Sequence, residues 1–220
     1  MNGLKRAGWL LGLVLVGCGG TGALSGDYVQ RYVVEYDAAQ ALTFVSAAFL
    51  RNGRSEQLLP PAQITAIDLP LTFTPSSINT YPYSGNFTGR VNLPLVFVDF
   101  DDRRYENTIP VTAVPPIAFP EGFTGFPRTG ESTLTWGGTA IVAGEQVVLQ
   151  VTGNAGVVRE YSTSTVGATT LTVNGGEIFG IGGFRAKLLR ITTPALSQTS
   201  PAGGSLTVAY STGTRTISTF

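Results

Sequence analysis

The chain has 220 residues, with 14 Lys+Arg against 14 Asp+Glu, a single cysteine and no histidine. A balanced charge argues against nucleic acid as a partner, because binders of phosphate backbones concentrate a basic excess on one surface. The missing histidine removes serine–histidine and cysteine–histidine nucleophilic sites and histidine-ligated zinc.

Hydrophobic residues make up 43% of the chain and charged ones 13%, about half of the ~25% usual for soluble domains. Apolar and polar positions alternate over most of the length, so the chain is expected to fold rather than stay disordered. In chain order, the first segment is an export signal. Lys5 and Arg6 precede a short apolar run, Trp9 to Val16, and Gly17 sets a small residue before Cys18. The run is too short to span the ~30 Å hydrocarbon core as a helix. Cys18 has no second cysteine for a disulfide.

Leu15-Val-Gly-Cys18 resembles the lipobox of bacterial lipoproteins. The resemblance implies lipidation of Cys18, removal of residues 1–17 and an acylated new amino terminus. Gly19 stands where many Gram-negative lipoproteins carry an aspartate for inner-membrane retention, which implies an outer-membrane address. The alternatives are an ordinary signal peptide or an uncleaved anchor, with an incidental cysteine. Residues 18–27 are small and Gly-rich, a flexible tether whose segment from Gly19 to Gly26 has an expected reach of roughly 15 Å.

From Tyr28 onward the dominant period is two, which places side chains on opposite faces of strands. Tyr28, Tyr32, Val34 and Tyr36 fall on one face, and Leu42 to Leu50 is apolar enough for burial on both sides. Asn52-Gly53 signals a hairpin turn. Further strands are expected at Ala66 to Phe73, Ser84 to Arg90, Val91 to Phe100 and Tyr105 to Val111. Pro94 and Pro110 suggest edges or strand ends. Four prolines and two glycines then interrupt every period, so residues 113–130 are read as a linker, whose Phe119, Phe123 and Phe126 form a second aromatic cluster, for sugar contact or for packing between the domains. Strands resume at Ser132 to Trp136, Ala140 to Val142, Gln146 to Thr152, Val157 to Thr163, Thr169 to Asn174, Phe184 to Thr192 and Ser205 to Thr212. The Gly-rich run Val173 to Gly183 reads as loops and bulges.

These patterns predict an all-β chain of two tandem immunoglobulin-like β-sandwich domains, residues 28–112 and 131–220, with one larger sandwich or an incomplete barrel as the alternative. The segment Leu134 to Gly153, a strand, a Gly-Glu turn and a strongly alternating strand, resembles the Ig-like modules of bacterial surface proteins. Trp136 is expected in the core.

The loops offer residues for three chemistries. Asp99, Asp101 and Asp102 lie on one acidic hairpin with Glu106 and Asn107, a start toward the oxygen ligands calcium needs, although Arg103 and Arg104 sit among them and favour a salt-bridged hairpin. Tyr81, Tyr83 and Phe87 form a candidate aromatic contact for a glycan. Asp68, Asp99, Asp101, Glu145 and Glu177 supply carboxylates for glycoside hydrolysis without a feature that selects a pair. No cofactor and no catalytic residue are predicted. The sequence therefore points to an envelope lipoprotein, held in the bilayer through Cys18, that acts as a structural or protein-interaction module with an envelope protein partner. A glycan-binding lipoprotein is the alternative, and a hydrolase comes third.

Overall fold

Period-two patterning becomes twenty strands and one short helix in the computed structural model, which describes residues 27–74 and 82–220. The first half holds β1 (Val29–Asp37), β2 (Leu42–Arg51), β3 (Arg54–Glu56), β4 (Gln63–Ala66), β5 (Leu69–Pro70), β6 (Thr72–Phe73), β7 (Tyr83–Thr88), β8 (Leu93–Val98) and β9 (Arg104–Ile109). After a 3-10 turn at Val111–Ala113 come β10 (Ile117–Ala118), β11 (Gly125–Phe126), β12 (Glu131–Thr135), β13 (Gly137–Gly138), β14 (Glu145–Gly153), β15 (Val158–Thr163) and β16 (Thr170–Asn174). Helix α1 (Gly175–Gly180), β17 (Gly183–Thr192), β18 (Gly204–Ser211), β19 (Arg215–Thr216) and β20 (Ser218–Thr219) complete the chain.

The architecture is an all-β sandwich built on one long sheet. Ten strands join in the order β15-β14-β17-β18-β1-β2-β7-β6, with β19 on β17 and β3 on β2. The sheet β5-β4-β8-β9 covers its first part, and the pairs β12-β16, β10-β13 and β11-β20 accompany the second. The joint is β1. It pairs with β2 in antiparallel register from Val29↔Leu50 to Asp37↔Leu42, and with β18 in parallel register from Gln30↔Gly204 to Asp37↔Ser211. Gly204 makes this joint possible, because a Cβ there would sit 2.9 Å from the Gln30 carbonyl oxygen and 2.7 Å from Leu196 Cδ1.

Alternation explains the cores. The even face of β1 buries Tyr32 and Val34 and the odd face of β2 buries Val45, Ala47 and Phe49, with Tyr28, Leu95, Phe97, Leu206 and Val208 in the same cluster. Its centre is aromatic, with Phe49 stacked on Phe97 at 4.4 Å between centroids and Tyr28 edge-on to both, contacts worth about 0.5–1.5 kcal/mol each beyond burial. The second cluster gathers Ile117, Phe126, Leu134, Trp136, Val147, Leu149, Val151, Leu171, Ile178 and Leu188. Val114 belongs to the first cluster and Ile117 to the second, so the change of core falls within the stretch expected as a linker, while β18 carries Leu206 and Val208 back into the first. Tyr210 packs against both. On the outer face Lys187 reaches over the intervening β18 to Glu35, at 3.1 Å.

Three expected elements come out differently. Ala66 to Phe73 is a tight hairpin rather than one strand, because Ile67 and Asp68 both adopt positive φ (48° and 60°) and turn the chain between β4 and β5; a β-branched residue is disfavoured there, so the sequence gives no turn signal. Ala140 to Val142 is a loop. Its backbone is held outside any strand by Arg190, which donates to the Thr139 and Ala140 carbonyls at 2.9 and 2.8 Å, by Glu145, which accepts from the Val142 N–H at 3.0 Å, and by the turn before β16, where Ile141 N–H donates to the Ala168 carbonyl at 3.0 Å and the Ile141 carbonyl accepts from Gly167 N–H at 2.8 Å. Part of the Gly-rich run is α1, started by Asn174, whose Oδ1 accepts from Gly176 N–H at 3.0 Å and from Glu177 N–H. Asn174 followed by Glu177 three residues on is the helix-start pattern that the glycines masked. Leu42 to Leu50 buries one face in the core, while Leu42, Phe44, Ala48 and Leu50 on the other are half-buried. Asn52-Gly53 turns as expected, both at positive φ.

Because β18 comes from the second half yet fills the first cluster, Leu206→Ala is expected to destabilise by about 2–5 kcal/mol and to lower both halves together. Trp136 fluorescence and far-ultraviolet circular dichroism should then unfold in one coincident transition. Two separated transitions, with Leu206→Ala moving one alone, would mean that each cluster folds as its own unit.

Candidate functional site

Strand directions give the molecule two ends. β1 and β18 run in parallel from Val29 and Gly204, and β17 runs back so that Leu189 lies opposite Ser211 while Gly183 extends beyond it. At about 3.3 Å per residue, the path from Gly204 to Ser211 and on from Leu189 to Gly183 covers roughly 40 Å. Asp27, where the described body begins, lies at one end. The turn 154–156, the end of α1 and β19 lie at the other, since Gly153 pairs with Gly183, a Cβ on Gly153 would meet the Ile181 carbonyl, and β19 pairs with Arg185 and Ala186.

The Asp27 end is built around the acidic hairpin between β8 and β9. Asp99 is buried, and its Oδ1 accepts from the N–H groups of Asp101 and Arg103 at 2.9 and 3.0 Å. Its Oδ2 accepts from Arg103 Nε at 2.7 Å and from the Tyr105 hydroxyl at 3.2 Å. Arg103 Nη2 also reaches Asp27 at 2.7 Å and Asp101 at 3.1 Å. One guanidinium thus ties the start of the body to the hairpin, and the Asp27 and Asp99 hydrogen bonds hold Arg103 above its usual pKa. Asp102 sits at the turn with φ 58°. Among the described residues no group of three or more acidic, histidine or cysteine side chains is arranged to hold a metal ion. Arg51 adds a second clasp, hydrogen-bonding the Tyr28 hydroxyl, stacking 4.5 Å over its ring and pairing with Glu56 at 3.3 Å.

The other candidate residues scatter. Tyr83 is 7% exposed in the first core, its hydroxyl accepting from Leu58 N–H at 2.7 Å, and Phe87 packs against the same cluster; an alternating strand sends both inward, which the short Tyr-Pro-Tyr motif hid. Tyr81 and Cys18 lie outside the described residues. Phe119 and Phe123 stack at 5.2 Å under Arg215, and Phe126 is core. Glu145 is spent on the fully buried Arg190. Glu177 accepts from the Tyr161 hydroxyl at 3.1 Å. Of two shallow grooves on the outer face of β4, β8 and β9, one carries Asp68 and the other Glu106 as its lone carboxylate, where a hydrolytic pair needs two.

Sequence reasoning missed the far tip. Helix α1 turns Ile178 into the core and Phe179 outward, 50% exposed, with the Arg128 guanidinium 5.2 Å over its ring. Arg128 N–H donates to the Phe220 carbonyl at 2.8 Å, and Phe220 is 68% exposed. Val157, beside the turn 154–156, is also exposed. Arg128 has no carboxylate partner among the described residues. An exposed ring under an unpaired guanidinium combines apolar area with a directional donor, the combination enriched in interface hot spots. Only the helical turn at Asn174, unread in the sequence, separates Phe179 from Ile178.

No family model matches the sequence, and no curated protein is significantly similar to it. Among solved structures, one concerned with host cell surface retention of a 1.5-MDa bacterial ice-binding adhesin is 14% identical, with 87% of this chain and 66% of that chain covered and a TM-score of 0.29. A tetra-tandem repeat in the extending region of a large adhesion protein is 11% identical over 86% of this chain and 50% of that one, with a TM-score of 0.25. The chain thus spans between half and two thirds of those structures. Likeness at this level carries no argument about function. No helix among the described residues is long and apolar enough to cross a membrane.

Two outcomes follow from the geometry. Since the Asp99 oxygens already serve protein donors, millimolar calcium should leave the melting temperature unchanged; a rise that Asp101→Ala abolishes would establish a cation site on the hairpin. Burial first, then the hydrogen bond to Glu177 and its charge, push Tyr161 up to about 12, against the opposing charge of Arg159. The folded state therefore holds a proton that the unfolded state releases above about pH 10, so stability is fully present below that pH and falls as pH rises toward 12. Tyr161→Phe should lose less stability across this window than the parent, and equal losses in denaturant titrations would contradict the assignment.

Proposed function

We propose that this chain is an envelope lipoprotein that stands on its acylated Cys18 and offers its far tip to a protein partner, without catalysis. The carrying observation is the placement of the two ends: the body starts at Asp27, clasped by Arg103, and the exposed Phe179–Arg128 pair lies at the opposite end of a continuous sheet. Each acyl CH₂ buried in the bilayer contributes about 0.8 kcal/mol, and the several chains of a lipoprotein cysteine hold the protein stably. Residues 18–26 then keep the first half of the body close to the membrane, facing it with the Asn52-Gly53 turn and the acidic hairpin. The tip is carried outward by the length of the sheet. Its exposed apolar side chains cost solubility in isolation and gain a purpose as a docking surface.

Cys18→Ser should move the protein from the membrane to the soluble fraction; tight membrane association of that variant would sink the anchor. A photo-cross-linking residue placed at Phe179 in cells should yield a defined protein adduct that Arg128→Ala weakens, while the same group at Asn52 should not. Equal adducts from both positions, or none from Phe179, would contradict a tip-first contact.

A further inference from the structure

The geometry points to a mechanical role for β1: it is a clamp loaded in shear, so that the folded body transmits tension between Asp27 and its tip. The inference rests on the anchored reading only for the direction from which load arrives. Tension entering at Asp27 pulls β1 along its own axis by its N-terminal end. Its neighbour β18 runs parallel and leaves from its other end, Ser211, into the second half through Thr212 to β19. A pull on the tip therefore draws β18 by its C-terminal end. The two strands are drawn in opposite directions along a common axis.

In that geometry the whole ladder from Gln30↔Gly204 to Asp37↔Ser211 is strained at once, together with the antiparallel ladder from Val29↔Leu50 to Asp37↔Leu42 on the other side of β1. Sliding β1 out also drags Tyr28, Tyr32 and Val34 from the aromatic core in the same step. Locks concentrate where the load enters. Arg103 holds Asp27 and Asp99, Ser200 Oγ donates to the Tyr28 carbonyl, and Gln30 N–H donates to the Gly203 carbonyl at 3.1 Å. At the far end Ala38 N–H donates to the Ser211 carbonyl at 2.9 Å, and the Glu35–Lys187 ion pair ties β1 to β17 across β18. Forced unfolding follows the unfolding barrier, and that barrier is high when many bonds must break together. Pulled sideways at Val29↔Leu50, the same strand would unzip one pair at a time.

Single-molecule pulling on the chain 18–220, produced without its signal so that Cys18 is a free thiol handle, separates these cases. With the second handle at Ala155→Cys in the exposed tip turn, the load is shear. With it at Arg54→Cys beside the Asn52-Gly53 turn, the load peels β1 from β2. Both variants are first matched to the parent in melting temperature. The rupture force should be roughly twofold or more higher in the shear geometry at equal loading rate. Equal forces, or a higher force in the peeling geometry, would overturn the clamp. No lipid is present in this measurement, so its failure is distinct from failure of the anchor, which fractionation of Cys18→Ser reads by itself.

Discussion

Everything in this fold depends on one strand being held from both sides. β1 is the first strand of the body, yet it lies in the middle of the long sheet, between β2 from its own half and β18 from near the other end of the sequence. Parallel pairing requires a crossover connection, and here the crossover is nearly the whole chain. The entropy of closing so long a loop grows only slowly with length, so the cost is modest in stability and large in folding time. In return the N-terminal strand cannot fray separately. Its even face supplies Tyr32 and Val34 to the first core, and its neighbour β18 brings Leu206 and Val208 to the same place.

Buried polar groups do the complementary work of fixing what the ladders leave loose. Arg190, fully buried, spends its donors on Glu145, Thr139 and Ala140 and so shapes a loop that has no ladder. Asn107 bonds Ser197 and Gln198, docking the long β17–β18 connection against β9. Arg103 links residues 27 and 99. Arg190 and Asn107 are taken out of water and partnered, whereas Arg103 keeps 41% of its side chain exposed and draws the buried Asp27 and Asp99 together. Such groups add little net stability compared with apolar residues of the same volume, and removal of one partner is costly. Their effect is to select one arrangement of connections among several with similar cores.

Much of the local structure was legible in the alternation of residues. The Tyr28, Tyr32 and Val34 face, the strand from Gln146 to Thr152, the Asn52-Gly53 turn and the burial of Trp136 all follow from side-chain periodicity and turn chemistry, which act over a few residues. The parallel β1–β18 joint was not legible, because no local pattern says which distant strand a given strand will meet. The Ile67-Asp68 turn runs against the preference of the β-branched Ile67, so it is imposed by the ladders on either side, in which Ala66 pairs with Leu69 and Ile67 N–H donates to the Pro94 carbonyl. The site was the least visible part. Exposure of Phe179 depends on a single turn of helix inside a Gly-rich run, and the core positions of Tyr83 and Phe87 depend on which face of β7 turns inward.

Architecture and proposed role meet in the same feature. An interaction module held at one end and engaged at the other has to stay folded along the line joining them, and β1 lies on that line with its ladders lengthwise. The measurement that bears most directly on this account is native-state hydrogen exchange of the full mature chain. If β1 is the joint, amides from Gln30 to Glu35 should exchange only through global unfolding and rank with the slowest in the molecule. Faster exchange of β1 through a partial opening, with β14 and β17 still protected, would contradict it.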